Sequence, residues 1–297
     1  MVQSLRVLRT HLPLAKGGKN RFGDKMIGKL YVVGTPIGNL GDLSPRAVET
    51  LESVDFIAAE DTRVTLKLLN HFNIKKEMIS YFEHNKRERG EIILSRIMSG
   101  ENCAIVTDAG MPAISDPGED LVFLCHENGI KVEAVPGPTA FATALAISGM
   151  NTGRFTFEGF LSIAKKSRRE HLESLENEER TMVFYEAPHK LLATLEDFYK
   201  HFGNRNIALV REITKLHEEV IRTTIEEAIE KYTADKPKGE FVVIIEGAKK
   251  AAEEITLEEA VEKAKRLVES GMSVNSAAKE ISANTPFKKS EIYKELI

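Results

Sequence analysis

Three groups able to take or give a proton stand near the ends of short apolar runs. Glu60 and Asp61 open "EDTR" after "DFIAA", and His84 sits in "FEHN" after "MISYF". A carboxylate or imidazole so placed can relieve an attacking hydroxyl of its proton. Two of them also have a plainer role open to them. Asp61 can pair with Arg63 to anchor its loop, and His84 can be a solvated surface histidine. Around these groups run segments rich in glycine and proline: "GTPIGNLGDLS", "TDAGMPAISDPG" and "PGPTA". Such segments let a backbone approach a ligand closely and aim N–H groups at it. The first of them fails as a nucleotide loop. Asn39 follows Gly38 where a Walker lysine is required, Gly34 and Gly38 are too far apart for GxGxxG, and Pro36 removes a donor from the middle. It reads as a rigid wall. In the long segment, Ala113 and Ile114 form an apolar step on which a flat ligand can rest while amides read its edge. "PGPTA" repeats this chemistry at the next strand end, so the two segments imply one shared cleft.

Alternating elements must position these loops. From Lys29 the strand candidates "LYVV", "DFIAAE", "MISYF", "CAIVTD" and "KVEAVPG" alternate with amphipathic helices. That pattern predicts a mostly parallel sheet covered on both faces, with the loops at its carboxyl ends. Ser44 and Pro45 make a helix start, and Gly100 and Gly129 make helix ends. Gly149 to Gly153 breaks the pattern and divides an N-terminal α/β domain, residues 29–150, from a second one, 151–248. In the second, "RFTFEGF", "TMVFYEA", "NIALVRE", "EEVIRTT" and "EFVVIIEG" are strands. Residues 255–297 read as helices only, with seven basic and seven acidic residues, a cap or dimer arm as readily as a nucleic-acid reader. Residues 1–28 carry six Lys or Arg against Asp24 and no apolar signal region. We expect a disordered basic tail there.

Bulk properties narrow the class. The 297 residues are 42% hydrophobic and 29% charged, with a formal net charge of -4, so any polyanion must be met by a local patch. No run is long enough to span a membrane. Cys103 and Cys125 lie in apolar segments without a CxxC pair, and the eight histidines are scattered. Reduced, buried thiols, no metal site and a cytoplasmic compartment are expected.

The segments "VGTPIGNLGDLSPRA", "AAEDTR", "TDAGMPAISDPG", "AVPGPTA", "FEGFL", "VFYEAPHKL" and "REITKLHEE" follow one another as they do in the tetrapyrrole methylase superfamily. Over residues 29–297 the chain most resembles the ribosomal RNA branch. The resemblance implies two α/β domains of the tetrapyrrole methylase type with the cofactor cleft between them, to which the pattern above adds a small C-terminal helical unit. It implies S-adenosylmethionine (SAM) as methyl donor and a homodimer. It also implies transfer to the 2'-hydroxyl of a cytidine in the decoding region of 16S RNA, with the small ribosomal subunit as partner. Carried over, the cofactor contacts are Pro36, Asp108, Gly110, Met111, Ile114, Ser115, Thr139, Ala140, Tyr185 and Glu186. The tetrapyrrole enzymes carry Gly-Asp-Pro in the long loop, where this chain has Gly110-Met111-Pro112. That departure argues against the alternative, a tetrapyrrole C-methyltransferase. Met111 for Thr, and Ser162 for Pro after "FEGFL", are two smaller departures.

Given that chemistry, Asp61 is the first candidate base, with Glu60 and His84 beside it. Lys165, Lys166, Arg168 and Arg169 form the densest basic cluster and are the candidate RNA contacts, a solvated helix face being the alternative. The chain has no Trp, so base stacking falls to Phe82 or Tyr81. A non-catalytic RNA-binding or assembly protein is the reading from another class, and intact loops weigh against it.

Overall fold

The structure is a computed structural model that describes residues 21–22, 25–249 and 256–297. Most of the tail expected over 1–28 lies outside the described residues. Within it, β1 (Arg21–Phe22) and β2 (Lys25–Met26) pair as a short antiparallel ribbon.

The first half alternates strictly. β3 (Lys29–Val33), α1 (Pro45–Ser53), β4 (Phe56–Ala59), α2 (Thr62–His71) and β5 (Glu77–Ser80) come first. Then follow α3 (Lys86–Met98), β6 (Cys103–Val106), α4 (Glu119–Glu127), β7 (Lys131–Val135) and α5 (Ala140–Ile147). The strands form one parallel sheet in the order β5-β4-β6-β3-β7. Both β4 and β6 are buried throughout, because helices cover both faces of the sheet. The two-residue period sorts their side chains. Phe56, Ala58, Cys103 and Ile105 enter one core, while Ile57, Ala59, Ala104 and Val106 enter the other. Both cysteines are free and buried. Ser44 caps α1 by accepting from the Ala47 N–H at 3.1 Å, with Pro45 at the first helical position.

The second half is a mixed sheet. Its elements are β8 (Phe155–Phe160), α6 (Lys165–Ser174), β9 (Thr181–Glu186), α7 (Pro188–Phe202), β10 (Asn206–Arg211), β11 (Glu219–Thr224), α8 (Ile225–Ala234) and β12 (Phe241–Ile245). Strand order is β11-β10-β12-β9-β8, with β8 and β9 parallel and the other pairs antiparallel. One face packs on α7 and α8 through Phe184, Phe198 and Tyr232. The other face, including Val183, Val210 and Val242, packs on Ile37, Ala144 and Leu145 of the first half. The second sheet therefore shares a core with α5 and the loop after β3, which holds the facing loops in one arrangement.

Three helices close the chain: α9 (Leu257–Glu269), α10 (Val274–Ala283) and α11 (Lys289–Glu295). Thr256 and Glu259 form a capping box at the start of α9. Val261, Ala264, Ala277, Ala278 and Ile292 give this unit its own small core.

Candidate active site

The loops after β3, β6 and β7 meet at the carboxyl ends of the parallel sheet. Thr35 and Gly110 exchange backbone hydrogen bonds of 2.9 and 3.1 Å, and the buried Thr35 hydroxyl donates to the Thr107 carbonyl at 3.1 Å. Gly34 and Gly137 touch through their backbones, so side chains are excluded at both positions. The first loop is thus fastened to its neighbours, as a rigid wall requires.

The long loop between β6 and α4 holds a strained backbone. Ala113 and Ser115 have φ of 67° and 63°, a region that costs a non-glycine residue energy. Gly118, at φ 144°, packs against Ala113, and a Cβ at Gly159 in the bulge of β8 would lie 3.2 Å from Ser115 Oγ. The bulge therefore admits the Ser115 side chain. From the second half, the Tyr185 hydroxyl accepts from the Phe141 N–H at 3.0 Å, and Phe157 stacks on Phe141 at 4.5 Å.

Between the halves lies a cavity of about 440 Å³. Nine of the ten cofactor positions named from sequence line it: Asp108, Gly110, Met111, Ile114 and Ser115, with Thr139, Ala140, Tyr185 and Glu186. Pro36 does not line it, and the adjacent Ile37 does. Sequence reasoning passed over Asp116, Phe160 and the Glu240–Val242 stretch, which line it too. Asp116 had a signal, an acid in a Gly/Pro-rich loop at a strand end. The β12 stretch had none, because only the tertiary fold brings it across from β3.

The three candidate bases are placed differently. Glu60 lines this cavity, and it accepts from the Thr107 hydroxyl and, at 3.3 Å, from the Asp108 N–H. Asp61 is the N-cap of α2, accepting from the Arg63 N–H at 2.8 Å and pairing with the Arg63 guanidinium at 2.6 Å. That partner pulls its carboxyl down to about 2, and it lies outside the cavity lining. His84 lies outside this cavity, edge-on to Phe82 at 6.2 Å. Asp116 is the opposite case to Asp61. Burial, followed by the nearby Glu60 charge, pushes its carboxyl up to about 6. Burial and Glu60 also raise Asp108. Among the described residues no cluster of His, Cys, Asp and Glu is arranged to hold a metal.

The basic cluster on α6 divides. Arg168 turns inward and donates to Asp197 at 2.7 Å and Thr194 at 2.8 Å, while Thr194 donates to buried Glu186 at 2.6 Å. Lys165, Lys166 and Arg169 remain at the surface. Lys166 and Arg169 face Glu170 and Glu173 one turn on. Tyr81 is fully buried and so unable to stack on a base, whereas Phe82 is exposed.

The donor set fits SAM. Ile37, Ile114 and Val242 supply apolar surface for a flat base, and Asp108, Asp116 and Glu186 supply negative charge for a sulfonium and an ammonium. Two α/β halves enclosing such a cavity define a SAM-dependent methyltransferase of the two-sheet type. The chain belongs to the tetrapyrrole methylases: residues 29–229 match the family described as Tetrapyrrole (Corrin/Porphyrin) Methylases.

Among curated relatives, a protein of Synechocystis sp. named "Ribosomal RNA small subunit methyltransferase I" is 46% identical over 269 residues. The match covers 90% of this chain and 96% of that one. A Thermotoga maritima protein of the same name is 49% identical over 74% of this chain and 99% of its own length. Solved structures with this fold include a uroporphyrin-III-C-methyltransferase from Thermus thermophilus (TM-score 0.53, 19% identity, covering 73% of this chain and 94% of that one). Another is a diphthine synthase (TM-score 0.56, 12% identity, covering 73% and 89%). Neighbours with such different names share the fold alone.

Proposed function

We propose that this methyltransferase modifies the 2'-hydroxyl of a cytidine in the decoding region of 16S RNA, on the small ribosomal subunit, acting as a cytoplasmic homodimer. The relatives' shared name supports the RNA substrate. The observation that carries the mechanism is the position of Glu60 and Asp116, which line both the cofactor cavity and a second cavity beside it. When bound, SAM supplies an activated methyl group on a sulfonium. The chain must hold the acceptor oxygen within ~3–3.5 Å of that carbon and keep it there, which accounts for much of the gain. Thr35, Gly110 and the Gly34–Gly137 contact keep the wall rigid for this purpose. A ribose hydroxyl also needs its proton removed as the bond forms. Asp116 is the carboxylate suited to receive it, because its affinity for a proton is raised and Asp61's is lowered. Glu60, bonded to Thr107, sets the charge that Asp116 feels. Lys165, Lys166 and Arg169 are the outward cations of α6 for phosphate contact.

The test is transfer of labelled methyl from SAM to small subunits from a strain lacking this enzyme, against uroporphyrinogen in parallel. Label at one ribose of 16S RNA is expected. Label only in the porphyrinoid, or none in the subunits, sinks the proposal.

A further inference from the structure

A cavity of about 510 Å³ opens under the Phe82–Asn85 turn, beside the cofactor cavity. Phe82, Glu83 and His84 line one part of it and Glu119 another, and Glu60, Ser115 and Asp116 form the wall it shares with the cofactor site. We propose that this cavity takes the cytosine base of the acceptor nucleotide and places its ribose at the shared wall. This rests on the function proposed above and names how that site reads its substrate.

Three observations support the assignment. The first is continuity, since a ribose at Ser115 and Asp116 faces the cofactor cavity while its base points into the second one. The second is charge. Glu60, Glu83, Asp116 and Glu119 make the lining acidic, and no lysine or arginine belongs to it. Such a field repels phosphate and leaves room for the uncharged part of a nucleotide. A base reaching it must leave its stack, and exposed Phe82, with His84 edge-on at 6.2 Å, offers a stacking surface. The third is hydrogen bonding. Glu83 is paired with Lys86 at 2.8 Å, but the Glu119 side chain has no hydrogen bond or ion pair with any described residue. A carboxylate accepts from the N4 amino group of cytosine and is repelled by the O4 acceptor of uracil. Glu119 is thus the residue that separates cytidine from uridine.

The experiment compares the wild-type enzyme with Phe82→Ala and Glu119→Gln on small subunits carrying either C or U at the methylated position. Phe82→Ala is expected to raise KM for subunits about ten-fold. Glu119→Gln is expected to lower the C-to-U rate ratio about ten-fold. Calorimetry should find the SAM affinity of both variants unchanged. Subunits methylated by the wild-type enzyme, with both variants equal to it in KM and C-to-U ratio, would overturn the base pocket and leave the parent function standing. A large loss of SAM affinity in both variants would overturn it too, by assigning the cavity to the cofactor. No methylation of subunits by the wild-type enzyme would overturn the parent function and this inference together.

Discussion

Gly34 and Gly137 meet backbone to backbone: a Cβ built on Gly137 would lie 2.8 Å from the Gly34 Cα, and one on Gly34 would lie 2.6 Å from the Gly137 Cα. Neither contact can be relieved by turning a side chain. The loops after β3 and β7 can therefore share the cofactor wall only as glycines. Gly137→Ala is expected to cost about 1–3 kcal/mol by overpacking and to weaken SAM binding at the same time. Thermal unfolding with and without SAM checks this. A stable variant with wild-type affinity would show that the contact does not shape the cleft.

Asp116 links pH to both rate and stability. Its folded-state value, about 6, lies above the ordinary carboxylate value. The protein is therefore favoured below the unfolded value and loses that advantage as pH rises through about 6. Asp116→Asn should raise Tm at pH 8 and change it little at pH 4. In the wild-type enzyme, kcat should rise with pH near 6, as Asp116 loses its proton. That limb should vanish in Asp116→Asn, with kcat reduced about 100-fold or more. A rate profile unchanged by the substitution would exclude Asp116 as the proton acceptor.

Asp61 is expected to matter through its cap. Its carboxyl is lowered to about 2 by Arg63, so its stabilising effect is present above the ordinary carboxylate value and is lost as pH falls through about 2. Asp61→Ala should lower Tm at neutral pH while keeping SAM affinity and most of kcat. If kcat falls as far as in Asp116→Asn, the assignment of the base reverts to the "EDTR" loop.

The basic residues of α6 should separate by role. Arg168→Ala removes the donor to Asp197 and Thr194, and should destabilise by about 1–3 kcal/mol. Joint charge reversal of Lys165, Lys166 and Arg169 should leave Tm nearly unchanged and weaken subunit binding. It should also flatten the salt dependence of binding. Equal salt slopes for wild type and triple variant would remove α6 from the RNA interface.

Most of the fold was legible along the chain, because periodicity is a local signal. The apolar runs at β4 and β6, the Ser44-Pro45 start of α1 and the left-handed glycines after α3 and α4 are each set by a few neighbouring residues. The composition of the glycine- and proline-rich loops marked a cleft, and the family resemblance carried over nine positions that line the cofactor cavity, seven in those segments and Tyr185 and Glu186 on β9. The Asp61–Arg63 pair was open to reading because its partners are two residues apart, but the roles of Asp116 and Arg168 were not, because they depend on partners far away in sequence. Asp61 and Asp116 are both aspartates in loops at strand ends. One meets Arg63 and becomes a cap, and the other is half-buried near Glu60 and holds its proton more tightly. Arg168 looks like its basic neighbours until α7 brings Asp197 and Thr194 to it. The sequence by itself determined the two sheets and the loops that face one another. Only the tertiary packing, in which the second sheet shares a core with α5 and the loop after β3, decided which carboxylates lie half-buried beside one another, which cations stay at the surface, and that Glu119, its side chain unpartnered among the described residues, lines the same cavity as Phe82.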